Sequence, residues 1–390
     1  MINLAVGGAC LIVWVCLLLG RGWFWRGGEL FEAVRPDSER RFDGDWPRVT
    51  AIVPARDEAD VIGQTVASLA RQDYPGPFAV VVVDDQSSDG TASAARRAAG
   101  EDRVVTVLQG ESRPRGWVGK VWAMQEGAAL ANAAPEPPDY LLFVDADIVL
   151  KDSVLSGLVA VAQAKRAALT SLMVKLRCES PAERLLVPAF IFFFQMLYPF
   201  PWVNDPGRRT AAAAGGCMLV HRQTLREAGG LAELRGALID DCALAALMKR
   251  RAPIWLSLTQ DAVSLRGYPT FADFGRMVAR SAFAEMRFSS LRLIIAVAAM
   301  GFVFLAPPLL VAFSCGAPQA LGAAAWAIMV LVFAPTLRLY GRPILSGLVL
   351  PAIAAAYTLF TVQSALQYWT GRGGLWKGRV QAPMPKAERV

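Results

Sequence analysis

The sequence predicts an α/β domain on a mainly parallel sheet, carried between apolar segments long enough to enter a membrane. Three observations carry this. From about residue 48 to 150, short β-branched runs alternate with amphipathic or Ala-rich stretches, the pattern of successive βα units. Residues 4–20 and most of 293–366 are apolar and almost uncharged. Acidic clusters close two of the expected strands, Val-Val-Val-Asp-Asp-Gln-Ser-Ser-Asp-Gly at 81–90 and Phe-Val-Asp-Ala-Asp at 143–147, and a third, Leu-Ile-Asp-Asp, stands at 238–241.

Taken in order, residues 4–20 form an uncharged run close to the ~20 residues that span a bilayer. No Lys or Arg precedes Arg21 and no small-residue cleavage site follows, so a cleaved signal peptide is not expected. Arg21 and Arg26, with Trp23, Phe24 and Trp25 between them, place the N-terminus outside and residue 21 onward in the cytoplasm. A buried strand is expected at 49–53, stopping at Pro54. An amphipathic helix over 59–71 follows, with Val61, Ile62, Val66 and Leu69 on one face. A strand at 80–83 leads to Asp89, the expected N-cap of an Ala-rich helix. A strand at 104–108, a helix at 119–131 and a strand at 140–144 complete the series, with a Pro-rich surface loop at 134–139. Successive units of this kind imply helices on both faces of the sheet. No internal repeat is present.

Two later stretches read as interfacial. Residues 188–203 are strongly aromatic but too short and Pro-broken to span. Residues 271–288 set Phe271, Phe274, Val278, Phe283 and Met286 among Arg276, Arg280 and Arg287, as in a helix lying on a membrane. Three further apolar runs occupy about 293–314, 320–337 and 344–366. Four spans would leave the C-terminus outside, whereas Arg372, Lys377, Arg379, Lys386 and Arg389 favour the inside. Pro307-Pro308, Pro335 and Pro351 interrupt the runs and suggest that one is re-entrant. The expected organisation is an anchor at 1–21, a juxtamembrane linker at 22–47, an α/β domain at 48–268, an amphipathic interface helix at 269–290, membrane segments at 291–368 and a basic cytoplasmic tail at 369–390.

Composition narrows the function. The net charge is +7 and 54% of residues are hydrophobic. The basic residues are dispersed, with no Lys/Arg tract interleaved with aromatics, so nucleic acid is not the expected partner. Anionic lipid and phosphate account for the charge more simply. The six cysteines lack CxxC spacing and the single histidine is His221, which disfavours structural zinc and a disulfide framework. His221 follows an expected strand and reads as a core residue.

Asp145 and Asp147, two apart beyond an apolar strand, would share one side of an extended chain. Hard carboxylate oxygens so placed suit Mg²⁺ or Mn²⁺ bridging to a diphosphate. Asp84 and Asp85 end another strand, where either can accept a bond from a nucleobase N–H or a ribose hydroxyl, or simply form the turn. Asp240 and Asp241 open a helix; capping suffices for Asp240, while Asp241 can serve as a base. Lys120, after Gly116-Trp117-Val118-Gly119, is placed to meet a phosphate or to order its loop. Neither GxxxxGK[ST] nor a GxGxxG after the first strand occurs, so Walker-type and dinucleotide sites are disfavoured.

In this order the motifs resemble those of the family-2 glycosyltransferases, inverting enzymes of the GT-A fold. Val-Pro-Ala-Arg-Asp-Glu at 53–58 is similar to the family's first-strand signature, Asp84-Asp85-Gln-Ser-Ser-Asp89-Gly to its nucleotide-binding stretch and Gly119-Lys120-Val-Trp-Ala to its lysine segment. Asp145-Ala-Asp147 is similar to its metal motif and Asp240-Asp241 to the acidic pair containing its base. The resemblance covers about residues 48–290. It implies a GT-A (Rossmann-like) nucleotide-sugar-binding domain with N-terminal and C-terminal transmembrane helices. It implies Asp241 as catalytic base, Asp147 and Asp145 as ligands of Mg²⁺ or Mn²⁺, and Pro54, Arg56, Glu58, Asp85, Lys120, Asp145, Asp240 and Arg280 as donor-binding residues. Asp85 would hold the base, and Lys120 and Arg280 the diphosphate.

Of the Gln-x-x-Arg-Trp motif of processive members, Met277-Val-Ala-Arg280-Ser281 keeps only the Arg, against polysaccharide synthesis. Leu375-Trp376-Lys-Gly-Arg379 resembles a cytoplasmic WxGR motif near the end of membrane-bound members. The anchor layout and Gly-Trp-Val-Gly-Lys segment look most like the hopanoid-associated and carotenoid glycosyltransferases. The implied partners are a UDP-linked sugar, a membrane lipid acceptor and the bilayer, with the enzyme multi-pass in the plasma (inner) membrane and its catalytic domain cytoplasmic. Alternatives are a polyprenyl-phosphate sugar synthase, resembling dolichyl-phosphate mannose synthases, and a non-catalytic nucleotide-sugar-binding or scaffold protein. A small transporter is disfavoured by the absence of charge within the apolar runs.

Overall fold

The computed structural model describes residues 1–32, 46–100, 104–374 and 377. These fall into two compact units. One comprises Glu29–Arg177 and Trp202–Arg266; the other comprises Met1–Gly28, Cys178–Pro201 and the residues from Gly267 onward. The WxGR-like tail motif lies outside the described residues, apart from Lys377.

The first unit is an α/β domain whose described residues form nine strands in one mixed sheet: β1 Leu30–Phe31, β2 Val49–Ala55, β3 Phe78–Asp84, β4 Val105–Gln109, β5 Tyr140–Val144, β6 Ile148–Leu150, β7 Leu169–Lys175, β8 Cys217–His221 and β9 Ile254–Ser264. Their order is β1-β9-β7-β8-β5-β2-β3-β4, with β6 paired to β9. β5, β2, β3 and β4 are parallel, as the alternating pattern predicts. The other half is mixed because β8 runs antiparallel to both β5 and β7. β2 is buried along its whole length, and its residues, apolar except Thr50, are those of a strand covered on both sides. From β2 the chain moves outward to β3 and β4, then returns to set β5 on the other side of β2. That reversal leaves a crevice beyond the carboxyl ends of β2 and β5, the usual ligand position in such sheets.

Two local expectations need correction. β2 runs on through Pro54 to Ala55. β5 pairs with β2 only as far as Ile52, so β2 beyond it is an edge on that side and tolerates proline. The first helix of this α/β unit is Ile62–Ala70, shorter than 59–71. The amides of Asp57, Glu58 and Ala59 are bonded instead to the side chains of Ser87, Thr91 and Asp89, which holds this turn out of the helix. Asp89 also accepts from the Thr91 amide and hydroxyl, one residue inside the helix it was expected to cap.

Among the described residues, the second unit contains four helices long and apolar enough to cross a membrane: Ile2–Gly20, Ser290–Phe313, Ala317–Leu339 and Ile344–Trp369. The prolines do not shorten them below that length. Pro335 lies inside its helix and Pro351 at the start of another. At Pro307-Pro308 the helix answers with a π-turn over Gly301–Leu305, in which the Ala306 amide bonds to Gly301 O. The carbonyls of Phe302 and Val303 thereby lose their helical donors. Cys10 Sγ and Trp14 Nε1, one turn apart on the first helix, donate to them at 3.5 and 2.8 Å.

Of the aromatic stretch read as interfacial, residues 188–201 lie in this unit and contribute to its core. Within helix Pro181–Leu197, Phe192 and Phe193 are buried against Phe24, Phe333, Phe304 and Tyr357. The amphipathic reading of 271–288 holds in its periodicity, but the apolar side is largely occupied. Phe274 packs on Tyr357 and Phe283 on Tyr368, while Phe271 and Arg276 face outward. Arg280, exposed at the end of helix Phe271–Ala279, belongs to this unit.

Candidate active site

The carboxyl ends of β2, β3 and β5 bring the acidic motifs to one edge of the sheet. Beyond β2, Arg56 Nη1 donates to the carbonyls of Asp85 at 2.5 Å and Gln86 at 3.1 Å. The Asp85 amide returns a bond to Ala55 O at 2.8 Å. Asp57 and Gln86 both adopt the left-handed backbone region, which turns the two loops toward each other. Ser88 completes the clasp through Asp57 Oδ1 at 2.8 Å. Asp84 and Asp85 are buried, with Asp84 Oδ1 accepting from the Ser87 amide. Pro54 lies buried within β2.

A second group forms around Lys120. The Val118 amide bonds to Arg235 O at 2.7 Å, joining the loop before helix Gly119–Asn132 to the loop before helix Asp240–Lys249. Lys120 Nζ lies 2.6 Å from Asp145 Oδ1 and 3.5 Å from Asp240 Oδ2. Lys120 therefore neutralises carboxylates in this state. Asp240 was expected to cap its helix, but its carboxylate makes an ion pair with Lys120 and no capping bond is formed. Asp241 accepts backbone N–H bonds at both oxygens, from Cys242 at 2.7 Å and Gly215 at 2.9 Å. Gly215 is held close: a Cβ there would meet Lys120 Nζ and Asp241 Oδ2, each at 3.2 Å.

These contacts set the electrostatics. Burial, then the neighbouring Asp240 charge, pushes Asp241 up to about 6, against the opposing pull of Lys120 and the two amides. Burial works against the Lys120 charge, but Asp145, Asp240 and Asp241 outweigh it and hold the ammonium more firmly protonated than usual. Burial raises Asp145 too, with Asp147 and Asp240 reinforcing and Lys120 opposing. A carboxylate titrating near neutrality beside a fixed cation is a suitable proton acceptor.

Asp147 is placed differently from expectation. β5 ends at Val144, and Asp145–Asp147 turn, with the Ile148 amide bonded to Asp145 O, so the two carboxylates do not share one face of an extended strand. Asp145 meets Lys120, whereas Asp147 Oδ2 accepts from Ser264 Oγ at 2.7 Å and lies 3.5 Å from Arg266 Nε. Arg266 also bonds to Glu58. Ser264, Arg266 and Gly215 escaped the sequence reading; the Gly215-Gly216 pair just ahead of β8 was the available signal for the last.

Among the described residues no group of three or more His, Cys, Asp or Glu side chains forms a ready-made metal cage. The oxygen donors of Asp145 and Asp147 still fit Mg²⁺ or Mn²⁺, because Mg²⁺ is commonly held by one or two carboxylates with substrate phosphates completing its shell. His221 stands at the opposite end of β5, paired with Tyr140 and bonded through Nδ1 to Thr224, so its role is to cap a short helix.

Residues 47–256, more than half of the chain, match the model of the family described as "Glycosyltransferase like family 2". The chain belongs to this family, and its fold is GT-A. The mannosyltransferase PcManGT from Pyrobaculum calidifontis, solved in complex with GDP-Man and Mn²⁺, is 20% identical, with a TM-score of 0.53 over 95% of this chain and 99% of that one. TarS of S. aureus in complex with UDP-GlcNAc is 14% identical, with a TM-score of 0.38 over 87% of this chain and 98% of that one. An N-acetylglucosaminyltransferase of Azorhizobium caulinodans is 32% identical over 115 residues, 29% of this chain; the match spans 26% of that protein's length.

Proposed function

We propose that this chain is an inverting glycosyltransferase that moves a sugar from a UDP-linked donor to the hydroxyl of a membrane lipid, in hopanoid or related lipid biosynthesis. It would work as a multi-pass protein of the plasma (inner) membrane with its catalytic unit in the cytoplasm. The observation that carries this reading is the cluster at the crevice: Asp241, pushed up to about 6 and held by two amides, beside Lys120, Asp145 and Asp240.

In this mechanism Asp241 accepts the acceptor hydroxyl's proton as its oxygen attacks the anomeric carbon. A new C–O bond forms, the bond from the anomeric carbon to the diphosphate oxygen breaks on the opposite face, and the configuration inverts. The proton stays on Asp241 and the electron pair leaves with the nucleoside diphosphate. Lys120 places positive charge at this edge. Asp85 binds the base, with Pro54, Arg56 and Glu58 shaping the loop beside it. Asp147 and Asp145 would hold Mg²⁺ or Mn²⁺, which supplies charge neutralisation at the diphosphate when bound.

The test is nucleoside diphosphate release by detergent-purified full-length protein, with UDP- and GDP-sugars, bacterial lipid extract and Mn²⁺ or Mg²⁺. Lipid-dependent release from a UDP-sugar, absent in Asp241→Asn, is expected. Release from GDP-sugars alone would overturn the donor assignment. Donor binding without release under any condition would favour a binding or scaffold role.

A further inference from the structure

We propose that Arg266 and Ser264 are positioning residues for the metal carboxylate Asp147, and that Glu58 acts through Arg266 rather than on the donor itself. This rests on the donor and metal reading above and deepens it.

The geometry is a short chain of contacts. Ser264 Oγ donates to Asp147 Oδ2 at 2.7 Å, and Arg266 Nε lies 3.5 Å from the same oxygen. A backbone bond fixes the register, the Leu265 amide donating to Asp147 O at 2.8 Å, and the Arg266 amide donates to the Ser264 hydroxyl oxygen at 3.3 Å. β6 pairs with β9 through Ile148 and Ser264, so the residue after Asp147 is locked beside the one that holds it. The other end of the Arg266 guanidinium bonds to Glu58 Oε1. Glu58 is 8% exposed, and its amide is fixed by Thr91 Oγ1 at 2.8 Å. The guanidinium thus spans from the β2 loop to the turn after β5.

This arrangement has two chemical consequences. Both described partners of the Asp147 carboxylate bind Oδ2, which leaves Oδ1 as the oxygen available to a cation. The guanidinium also offsets negative charge beside Asp145, so two neighbouring carboxylates can coexist before a cation arrives. Planar, permanently charged arginine suits this double contact, and lysine would reach only one partner. Bonds that orient a ligating carboxylate typically change metal affinity 10–100-fold when removed.

The test is Mn²⁺ binding to the full-length protein in detergent with UDP present, followed by the loss of the free Mn²⁺ electron paramagnetic resonance signal. Thermal unfolding is measured on the same samples. Asp147→Asn should abolish binding. Arg266→Gln and Ser264→Ala should weaken it about 10–100-fold with folding retained. Glu58→Gln should weaken it less in the wild-type background and have no further effect once Arg266 is Gln. Arg266→Lys should recover only part of the loss. If Asp147→Asn abolishes binding while Ser264→Ala and Arg266→Gln bind Mn²⁺ like the wild type, this proposal fails and the donor reading stands. If the unsubstituted protein does not bind Mn²⁺ with UDP, both fail.

Discussion

The two units handle polar groups in opposite ways. In the α/β unit, charge is concentrated: Lys120, Asp145, Asp240 and Asp241 crowd one edge of the sheet, and burial sharpens their mutual effects. In the helical unit, several buried polar side chains meet backbone at breaks in a helix. Trp14 and Cys10 cover the carbonyls released at the π-turn before Pro307. Ser364 donates to Ala279 O at 2.5 Å and accepts from the Phe283 amide at 3.0 Å, so its hydroxyl stands within the i→i−4 bond that the chain would otherwise make there. The charged groups around Lys120 in the first unit are set mainly by one another. Trp14, Cys10 and Ser364 in the second complete the backbone.

The largest expected effect tests the first half of that contrast. Asp241→Asn preserves shape and removes the proton acceptor, and should lower kcat/KM about 10²–10⁴-fold with donor affinity unchanged. Transfer at the wild-type rate would remove Asp241 from the role. The pH profile is a finer probe of the same group. Asp241 must be ionised to act, so kcat/KM should fall as pH drops through about 6. Asp240→Asn removes a charge that raises Asp241, and should move that limb to lower pH. An unmoved limb would show that Asp240 does not set the titration.

Gly215→Ala comes next. The added methyl would lie 3.2 Å from both Lys120 Nζ and Asp241 Oδ2, so one of them must give way. A reduction in kcat of about 10–100-fold is expected from this small displacement. The thermal midpoint should change little, because both neighbours are side-chain ends. A large loss of stability with kcat preserved would mean that Gly215 serves packing rather than geometry.

What the sequence made legible follows from range. The strand at 140–144 appears at the expected residues, since five apolar residues in a row bounded by Pro-rich loop and acidic turn leave little choice. The acidic motifs were legible because each closes or opens a local element. The mixed half of the sheet was not: β8 is a short strand whose direction depends on partners contributed by distant segments, β5 and β7. The Arg266–Glu58 contact joins residues 208 apart, and no local pattern carries it. The aromatic run at 188–203 misled for a related reason. Composition marks a segment as apolar but does not say whether lipid or Phe304, Phe333 and Tyr357 will cover it.

The smallest effect tests the other half of the contrast. Trp14 sits fully buried in the first helix, its ring edge-on to Phe304 at 5.3 Å and its N–H on Val303 O. Trp14→Phe keeps an aromatic ring there and removes the donor. Because Pro307 cannot supply an amide, the Val303 carbonyl would be left without a partner in an apolar setting, which costs about 1–3 kcal/mol. Thermal unfolding in detergent should show that loss, while Trp23→Phe, at an exposed position in the same unit, should show almost none. Equal stability of the two variants would mean that the π-turn satisfies its own carbonyls. The Trp14 contact would then be ordinary packing, and the rule that polar groups here complete the backbone would rest on Ser364 alone.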